Sequence, residues 1–400
     1  MSEIELKFCV DAGQAAAVDA ALRRVPGSKR ATLESHYFDT DDRRLGAAGL
    51  ALRLRKTGRL WEQTLKAPGE SAVERHEETV PRPGRWGAEG PPLDPALHAN
   101  TPAGEMLDKA LAHGDSARGA LRRVYTSVFT RRSVDVEAAD ARVEVAFDRG
   151  ELRAGANRAT ILEVEIELKS GEARALAAFG RTGVIEHGFW LSTLSKAARG
   201  DRLACGEEHG VAVKAQAPRL DRAMPGPAIL RAVMAACLDQ VVANAGEIAD
   251  GNRDDEMIHQ LRVGLRRMRT AARELGRLCA GFERDWEAPV VTAFEALGEY
   301  RDRDTVAQSI EAQLSAAGSP EPSLPPAQAA APDPVDAVRA KDFQCALLDV
   351  LRFTLDPADT LGPNDTPALD PRAALRRIGS RLTKLHALLK PSAKEFEQLD

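Results

Sequence analysis

Glu3, Glu5 and Lys7 sit at alternate positions of EIELKF, and charge returns at the same spacing along the chain. Arg53 and Arg55 do so in LALRLRKT, Glu62 and Lys66 in LWEQTLKA, and Arg75 and Glu77 in AVERHEETV. Arg131 is in phase with Phe129, Glu144 with Asp148, and Glu163, Glu165, Glu167 and Lys169 with one another. Residues two apart in a strand face the same way, so each segment has one charged face and one apolar face. Carboxylates in pairs hold Mg2+ or Mn2+ through oxygen. Arginine and lysine hold phosphate oxygens by charge-assisted, often bidentate bonds. Together they suit phosphoanhydride hydrolysis, where positioning and electrostatics supply most of the acceleration. Carboxylates alone would point to calcium, arginines alone to passive anion binding.

The elements that must position these groups are about eight strands: 3–8, 35–40, 50–57, 60–67, 72–80, 125–136, 141–152 and 159–170. Turn signals lie at Thr57-Gly58, Asp148-Arg149-Gly150 and Ala154-Gly155, helical stretches at 11–25 and 171–184, and a Pro/Gly-rich loop at 81–104. A wet-faced sheet is the ordinary reading of any one such strand. The strict repetition of paired acids and paired bases favours a closed sheet instead. About eight strands make a small barrel whose interior holds side chains or one small ligand. The two helices would cover its apolar outside, and the charged faces would line the bore. Buried charge of both signs then needs something that pairs with both.

The whole chain of 400 residues exceeds one ordinary core and implies two domains. Five scattered cysteines, none in a CxxC pair, argue against a disulfide framework or a thiolate zinc site and for a reduced, cytoplasmic setting. No N-terminal export signal is evident, and no apolar run reaches the roughly 18 residues of a membrane helix. After residue 203 the pattern turns helical. Residues 204–227 read as a proline-bearing linker, then come helices at 228–250, 254–279, 284–316, 335–353 and 371–390, with a low-complexity connector at 318–334. In MIHQLRVGLRRMRTAAREL (257–275), Ile258, Leu261, Leu265, Met268, Ala272 and Leu275 make an apolar stripe. His259, Arg262, Arg266, Arg269 and Arg273 repeat it one residue later as a basic stripe. A solvated basic face is the plain alternative to a phosphate-binding one. The scarcity of aromatics, 4%, counts against nucleic-acid stacking.

EIELK, YFDT (37–40), LRLR, TLK, ERHEE, Arg131, EVAFD, EVEIEL and LSKAARG, in this order, resemble a CYTH domain of the triphosphate tunnel metalloenzyme superfamily over residues 1–203. HQLRVGLRRMR and LGEYRDRDTV (297–306) resemble a CHAD domain, over 228–400. The resemblance implies an α+β protein: an eight-stranded antiparallel tunnel with flanking helices, then an all-α bundle. It implies Mg2+ or Mn2+ on Glu3, Glu5, Glu163, Glu165 and Glu167, with Glu144 and Asp148. It implies triphosphate held by Lys7, Arg53, Arg55, Lys66, Arg75, Arg131, Lys196 and Arg199. Lys7, Lys66, Glu77 and Lys196 are the candidates for catalysis, and which group activates water stays open. Inorganic triphosphate is the favoured substrate, since Tyr37, Trp61 and Trp190 are the few aromatics that could clamp thiamine or adenine. Thiamine or nucleoside triphosphate hydrolysis and non-catalytic polyphosphate binding are the alternatives. The CHAD resemblance implies inorganic polyphosphate as the ligand of the basic stripe, with phosphate contact favoured over metal at His259. The helix at 372–390 carries His386 but lacks the HxLRV pattern, so the resemblance implies an incomplete or divergent second half.

Overall fold

Among the described residues the chain forms nine strands: β1 (Ser2–Cys9), β2 (Lys29–Asp39), β3 (Ala51–Thr57), β4 (Leu60–Pro68), β5 (Glu74–Pro81), β6 (Arg122–Ala138), β7 (Ala141–Ala154), β8 (Asn157–Gly171) and β9 (Trp190–Leu191). The structure is a computed structural model. It describes residues 2–69, 74–112, 120–138, 141–221, 224–316 and 332–355, with isolated residues at 376, 379, 380 and 383, and backbone alone at 2, 3, 74, 75, 138 and 302–316. The strands make one antiparallel sheet in the order β5-β4-β3-β2-β6-β7-β8-β1-β9. β1 also pairs with β5 through Ser2↔His76, Glu3↔Arg75 and Ile4↔Glu74. The sheet therefore curls until β5, at one end, meets β1, one strand in from the other, although it is not closed as the barrel expected from the sequence.

The ninth strand corrects the expected eight. Beyond the β5 pairing, Phe8 and Cys9 of β1 take Leu191 and Trp190 as partners. Two apolar residues carry no alternation, which hid β9 from the pattern. A second correction concerns Asp148-Arg149-Gly150, which lies inside β7 and not at a turn. Gly150 is there because a Cβ would strike Phe129 and the Val128 carbonyl of the neighbouring strand, a close approach of the kind mid-strand glycine serves. Gly58 and Gly155, with φ of +62° and +57°, do form the tight turns expected of them.

Ten helices accompany the sheet among the described residues: α1 (Ala15–Arg24), α2 (Arg44–Ala47), α3 (Pro102–Ala112), α4 (Ala175–His187), α5 (Lys196–Cys205), α6 (Gly226–Ala249), α7 (Asp255–Leu275), α8 (Glu287–Ala316), α9 (Pro334–Arg339) and α10 (Lys341–Leu355). The stretch expected as one helix at 335–353 is split at Ala340 into α9 and α10. The helix expected at 371–390 lies almost wholly outside the described residues. The apolar faces of β1, β7 and β8 (Leu6, Phe8, Val143, Phe147, Val164 and Ile166) are buried with Val18 of α1 and with Leu176 and Val184 of α4. Full burial of one such side chain contributes about 1.5–3 kcal/mol.

That core continues into the helical half through Phe189, Trp190, Leu191, Met234, Leu238, Val241 and Leu347. Leu191 donates its backbone N–H to Oε1 of the buried Gln344 at 2.9 Å. Arg339 lies 3.9 Å over the Trp190 ring. The expectation of no membrane-length apolar run fails at α6, which is long and apolar enough by length and composition, with a mean hydropathy of 1.4. Its apolar residues are instead the core of the helical half, where Leu230, Met234, Val241 and Ile248 are buried. Residues 206–221 and 224–225 form neither helix nor strand, yet they are fastened. Val213 exchanges two 2.9 Å bonds with the Asn244 side chain, and Arg267 reaches the Gln216 carbonyl.

Candidate active site

Cross-strand register decides which charges become neighbours. Glu5 of β1 pairs with Glu167 of β8, which pairs in turn with Glu144 of β7. Lys7 is opposite Glu165, and Glu163 is opposite Asp148. On the other side of the sheet Arg53 lies between Tyr37 and Thr64, Arg55 is opposite Ser35, and Lys66 is opposite Glu77. The curl brings an acidic wall and a basic wall face to face around a cavity of about 510 Å³, lined by Glu5, Lys7, Arg53, Arg55, Lys66, Glu77, Arg131, Glu144, Glu165, Glu167 and Lys196.

The deep end of this cavity is an ion-pair lattice. The Lys196 ammonium lies 2.8 Å from Glu163 Oε2, 2.8 Å from Glu165 Oε1 and 2.7 Å from Asp148 Oδ2. Arg131 binds Asp148 through two bonds of 2.7 Å and also pairs with Glu165. Arg199 donates to Glu163 Oε1 at 2.6 Å, and Lys7 lies 3.2 Å from Glu165. Asp148 and Glu163 are fully buried. Burial alone would raise the Glu163 carboxyl, but Lys196, Lys7 and Arg199 hold it down at about 2. Burial likewise opposes the charge of Glu165, yet Lys196, Arg131 and Lys7 keep it well below the usual carboxylate range. Against the same burial, Asp148, Glu163 and Glu165 lift Lys196 well above a normal lysine. Phe129 floors this cluster, 5.3 Å from the Lys196 ammonium and 5.9 Å from the Arg131 guanidinium, within cation–π range.

The basic wall is less saturated. Arg53 reaches Glu77 at 3.3 Å, and Lys66 pairs with the same carboxylate. Arg55 donates to Ser35 Oγ at 3.0 Å and has no carboxylate at ion-pair distance among the described residues. Burial, then the neighbouring Arg53 and Arg131, push its guanidinium down to about 10 against the opposing pull of Tyr37. Burial would raise the Tyr37 phenol, but Arg53 and Arg55 prevail and lower it. Tyr37 stacks on Tyr125 at 4.5 Å, and Tyr125 donates its hydroxyl to the Ala197 carbonyl at 2.9 Å. Trp61 is buried beside His36, and Trp190 lies under Arg339. Neither belongs to the cavity lining.

The candidate metal ligands divide into two groups. Asp148, Glu163 and Glu165 are engaged by cations of the chain. Glu5, Glu144 and Glu167 form one row on the cavity wall, and Lys169 bridges Glu144 at 3.1 Å and Glu167 at 2.6 Å. The side chains of Glu3 and Arg75 lie outside the described residues. Among the described residues no three His, Cys, Asp or Glu side chains converge as a preformed metal group. The donor set of the Glu5, Glu144 and Glu167 row, carboxylate oxygens only, nevertheless fits Mg2+ or Mn2+. The ammonium that bridges the row, Lys169, is a third exposed and can yield to a cation.

Pattern reasoning did not place α5 as a helix, although Lys196 and Arg199 stand at the i, i+3 spacing of one helical face. It begins at an N-cap, Ser195, whose side chain accepts from Ala198 N. A Cβ on Gly200 would run into the Tyr125 ring. Gly200→Ala is therefore expected to lift α5 from the sheet and lower the thermal midpoint by several degrees, measured by calorimetry. An unchanged midpoint would show that α5 does not need this contact.

In the helical half, α7 carries the basic stripe. His259 Nδ1 accepts from Arg301 Nη1 at 2.9 Å, and Arg262 stacks 4.3 Å over Phe294. Arg266 is exposed. Arg269 lies 3.2 Å from Glu287, and Arg273 lies 2.9 Å from its neighbour Glu274. Among the described residues, acidic side chains thus accompany Arg269 and Arg273.

Residues 1–200 match the CYTH domain family and residues 232–399 match the CHAD domain family, in that order. An inorganic triphosphatase of Haemophilus influenzae is 27% identical over 203 residues, covering 50% of this chain and 54% of its own. The chain thus spans about half the length of this curated relative. A putative adenylyl cyclase from Hippeastrum that reveals a dominant triphosphatase activity is 17% identical, covers 51% of this chain and 96% of its own, and superposes with a TM-score of 0.35. A Pyrococcus horikoshii protein is 21% identical, covers 46% and 87%, and gives a TM-score of 0.28. The family assignment rests on the sequence match.

Proposed function

The chain belongs to the CYTH family, and from that premise we propose that it is a divalent-metal-dependent hydrolase of inorganic triphosphate, yielding pyrophosphate and phosphate, whose helical half binds polyphosphate. The carrying observation is the cavity in which the basic wall of Arg53, Arg55 and Lys66 faces the acidic row of Glu5, Glu144 and Glu167. Arg53, Arg55, Lys66 and Arg131 would hold the phosphate oxygens, and the curled sheet would exclude bulk water as a tunnel does. Glu5, Glu144 and Glu167 would hold the metal, which when bound supplies charge neutralisation at the phosphate oxygens. Lys7, Lys66, Glu77 and Lys196 remain the candidates for moving the proton of the attacking water. The two tyrosines in the lining stack on each other, leaving no open aromatic pair among the described residues to grip thiamine or adenine, which supports the inorganic substrate.

One observation favours a second reading, a non-catalytic polyphosphate binder in the cytoplasm. Asp148, Glu163 and Glu165 are all neutralised by cations of the chain, which leaves fewer free carboxylates than catalysis could use. Phosphate release from tripolyphosphate by the purified chain with Mn2+ or Mg2+ separates the two. Turnover that EDTA abolishes, and that exceeds turnover of ATP and thiamine triphosphate, is expected. Tight binding without turnover under any metal would establish the binder.

A further inference from the structure

One short helix spans from the ion-pair lattice to the helical half. α5 starts with Lys196 among Asp148, Glu163 and Glu165. One turn on, Arg199 holds Glu163 and donates to the Thr160 carbonyl at 2.6 Å. In its last turn Arg202 turns the other way and donates to Glu247 Oε1 of α6 at 2.5 Å. Glu247 is 5% exposed, and its second oxygen accepts from the Gly210 backbone N–H at 3.0 Å. Gly210 comes so close that a Cβ there would lie 2.7 Å from Glu247 Oε1 and would meet the Arg202 guanidinium. Asp250, at the end of α6, interacts with Arg199 as well.

A surface ion pair would position little. This one is different, because the carboxylate is buried and both oxygens are engaged, so its orientation is set by α6 and by the loop it grips. α5 has ten residues, about 15 Å of helix, too short to bend. The Tyr125 ring against Gly200 and the Tyr125 bond to the Ala197 carbonyl leave it little room to slide. What fixes the Arg202 end therefore also fixes the Lys196 end.

We propose that Glu247 is a positioning residue of the cavity: by clamping Arg202 it sets α5, and through α5 the Lys196 ammonium, against Glu163 and Glu165. The helical half thereby becomes part of the phosphate site without touching the phosphate. The functional readout rests on the triphosphate reading, whereas the structural one does not.

The test uses the full chain as wild type, Glu247→Gln, Lys196→Met and the double variant. Amide hydrogen exchange over 197–205 is measured together with calorimetric affinity for tripolyphosphate with Mn2+. Glu247→Gln is expected to speed α5 exchange about tenfold and weaken binding about tenfold. In the Lys196→Met background its further effect on binding is expected to fall below twofold, the non-additivity that marks one residue acting through another. Glu247→Asp, which keeps the charge, is expected to restore most of the affinity. Gly210→Ala, which wedges the same contact from the loop, is expected to reproduce the pattern and serves if Glu247→Gln does not fold. Equal factors in both backgrounds, or unchanged α5 exchange, would overturn the proposal. If the wild type binds no tripolyphosphate, the substrate reading falls and the exchange of α5 alone decides the positioning role.

Discussion

Replacing Lys196 by methionine is expected to lower tripolyphosphate turnover about 10²–10³-fold, the range seen when one preorganised electrostatic donor is removed, and to destabilise the fold as well. Methionine preserves the stem and deletes the charge. Asp148, Glu163 and Glu165 then lose a cation within 2.8 Å of each, and only Arg131, Arg199 and Lys7 remain to balance them. Removing one partner from a buried ion cluster costs about 3–5 kcal/mol, because the survivors are left charged without water. The pH dependence gives the sign. Glu163, held at about 2 in the folded chain against the combined effect of burial, contributes stability that is fully present above its unfolded value near 4.3. That stability is lost as the pH falls through about 2. Without Lys196 the folded value rises towards the unfolded one, so the variant should have less of this stability to lose below about pH 4.3, and should finish losing it at a higher pH than the wild type. Denaturant midpoints from pH 3 to pH 7 measure both effects. Superimposable profiles for variant and wild type would mean that the lattice does not hold these carboxylates ionised.

The sequence shows which charges share a face, because strand geometry forces residues two apart to the same side. Alternation alone is enough to put Glu163, Glu165 and Glu167 together, and Arg53 with Arg55. It does not show which face meets which. That depends on register and on the β1–β5 pairing, so Glu5, Glu167 and Glu144 could not be recognised as one row. Nor could Asp148 and Glu163 be recognised as the buried foundation beneath Lys196. Phe129, Tyr125 and Ser35 escaped because nothing in their local pattern distinguishes a residue under a cation from one in an ordinary core. The stretch at 204–227 reads as a linker from its prolines. Asn244 and Glu247, which pin it, lie some thirty residues onward on α6, where a polar residue in an apolar helix is the sole sign. The basic stripe of α7 was legible, but its accompaniment by Glu287 required the fold of α8.

Arg55→Met is expected to do the opposite of Lys196→Met: weaken tripolyphosphate binding about 10–100-fold while leaving stability unchanged or raised. Arg53 and Lys66 share Glu77, Arg131 holds Asp148 and Glu165, and Lys196 holds three carboxylates. Arg55 has the Ser35 hydroxyl and the edge of cation–π range to Phe129, at 6.0 Å. Burial and the like charges of Arg53 and Arg131 depress its guanidinium to about 10. A base whose folded value lies below its unfolded one penalises the folded state at every pH beneath about 10, and the penalty fades only above that. Deleting the charge removes this penalty, so the variant should be at least as stable as the wild type, by the same margin from pH 5 to pH 9. An arriving phosphate relieves the same repulsion, and a hydrogen bond to a charged group contributes about 1.5–3 kcal/mol, which sets the expected loss of affinity. Calorimetric affinity and thermal midpoints of the same protein preparation test both halves. A destabilised Arg55→Met with intact tripolyphosphate affinity would show that the guanidinium belongs to the scaffold, and the basic wall would lose the cation it holds in reserve for the ligand.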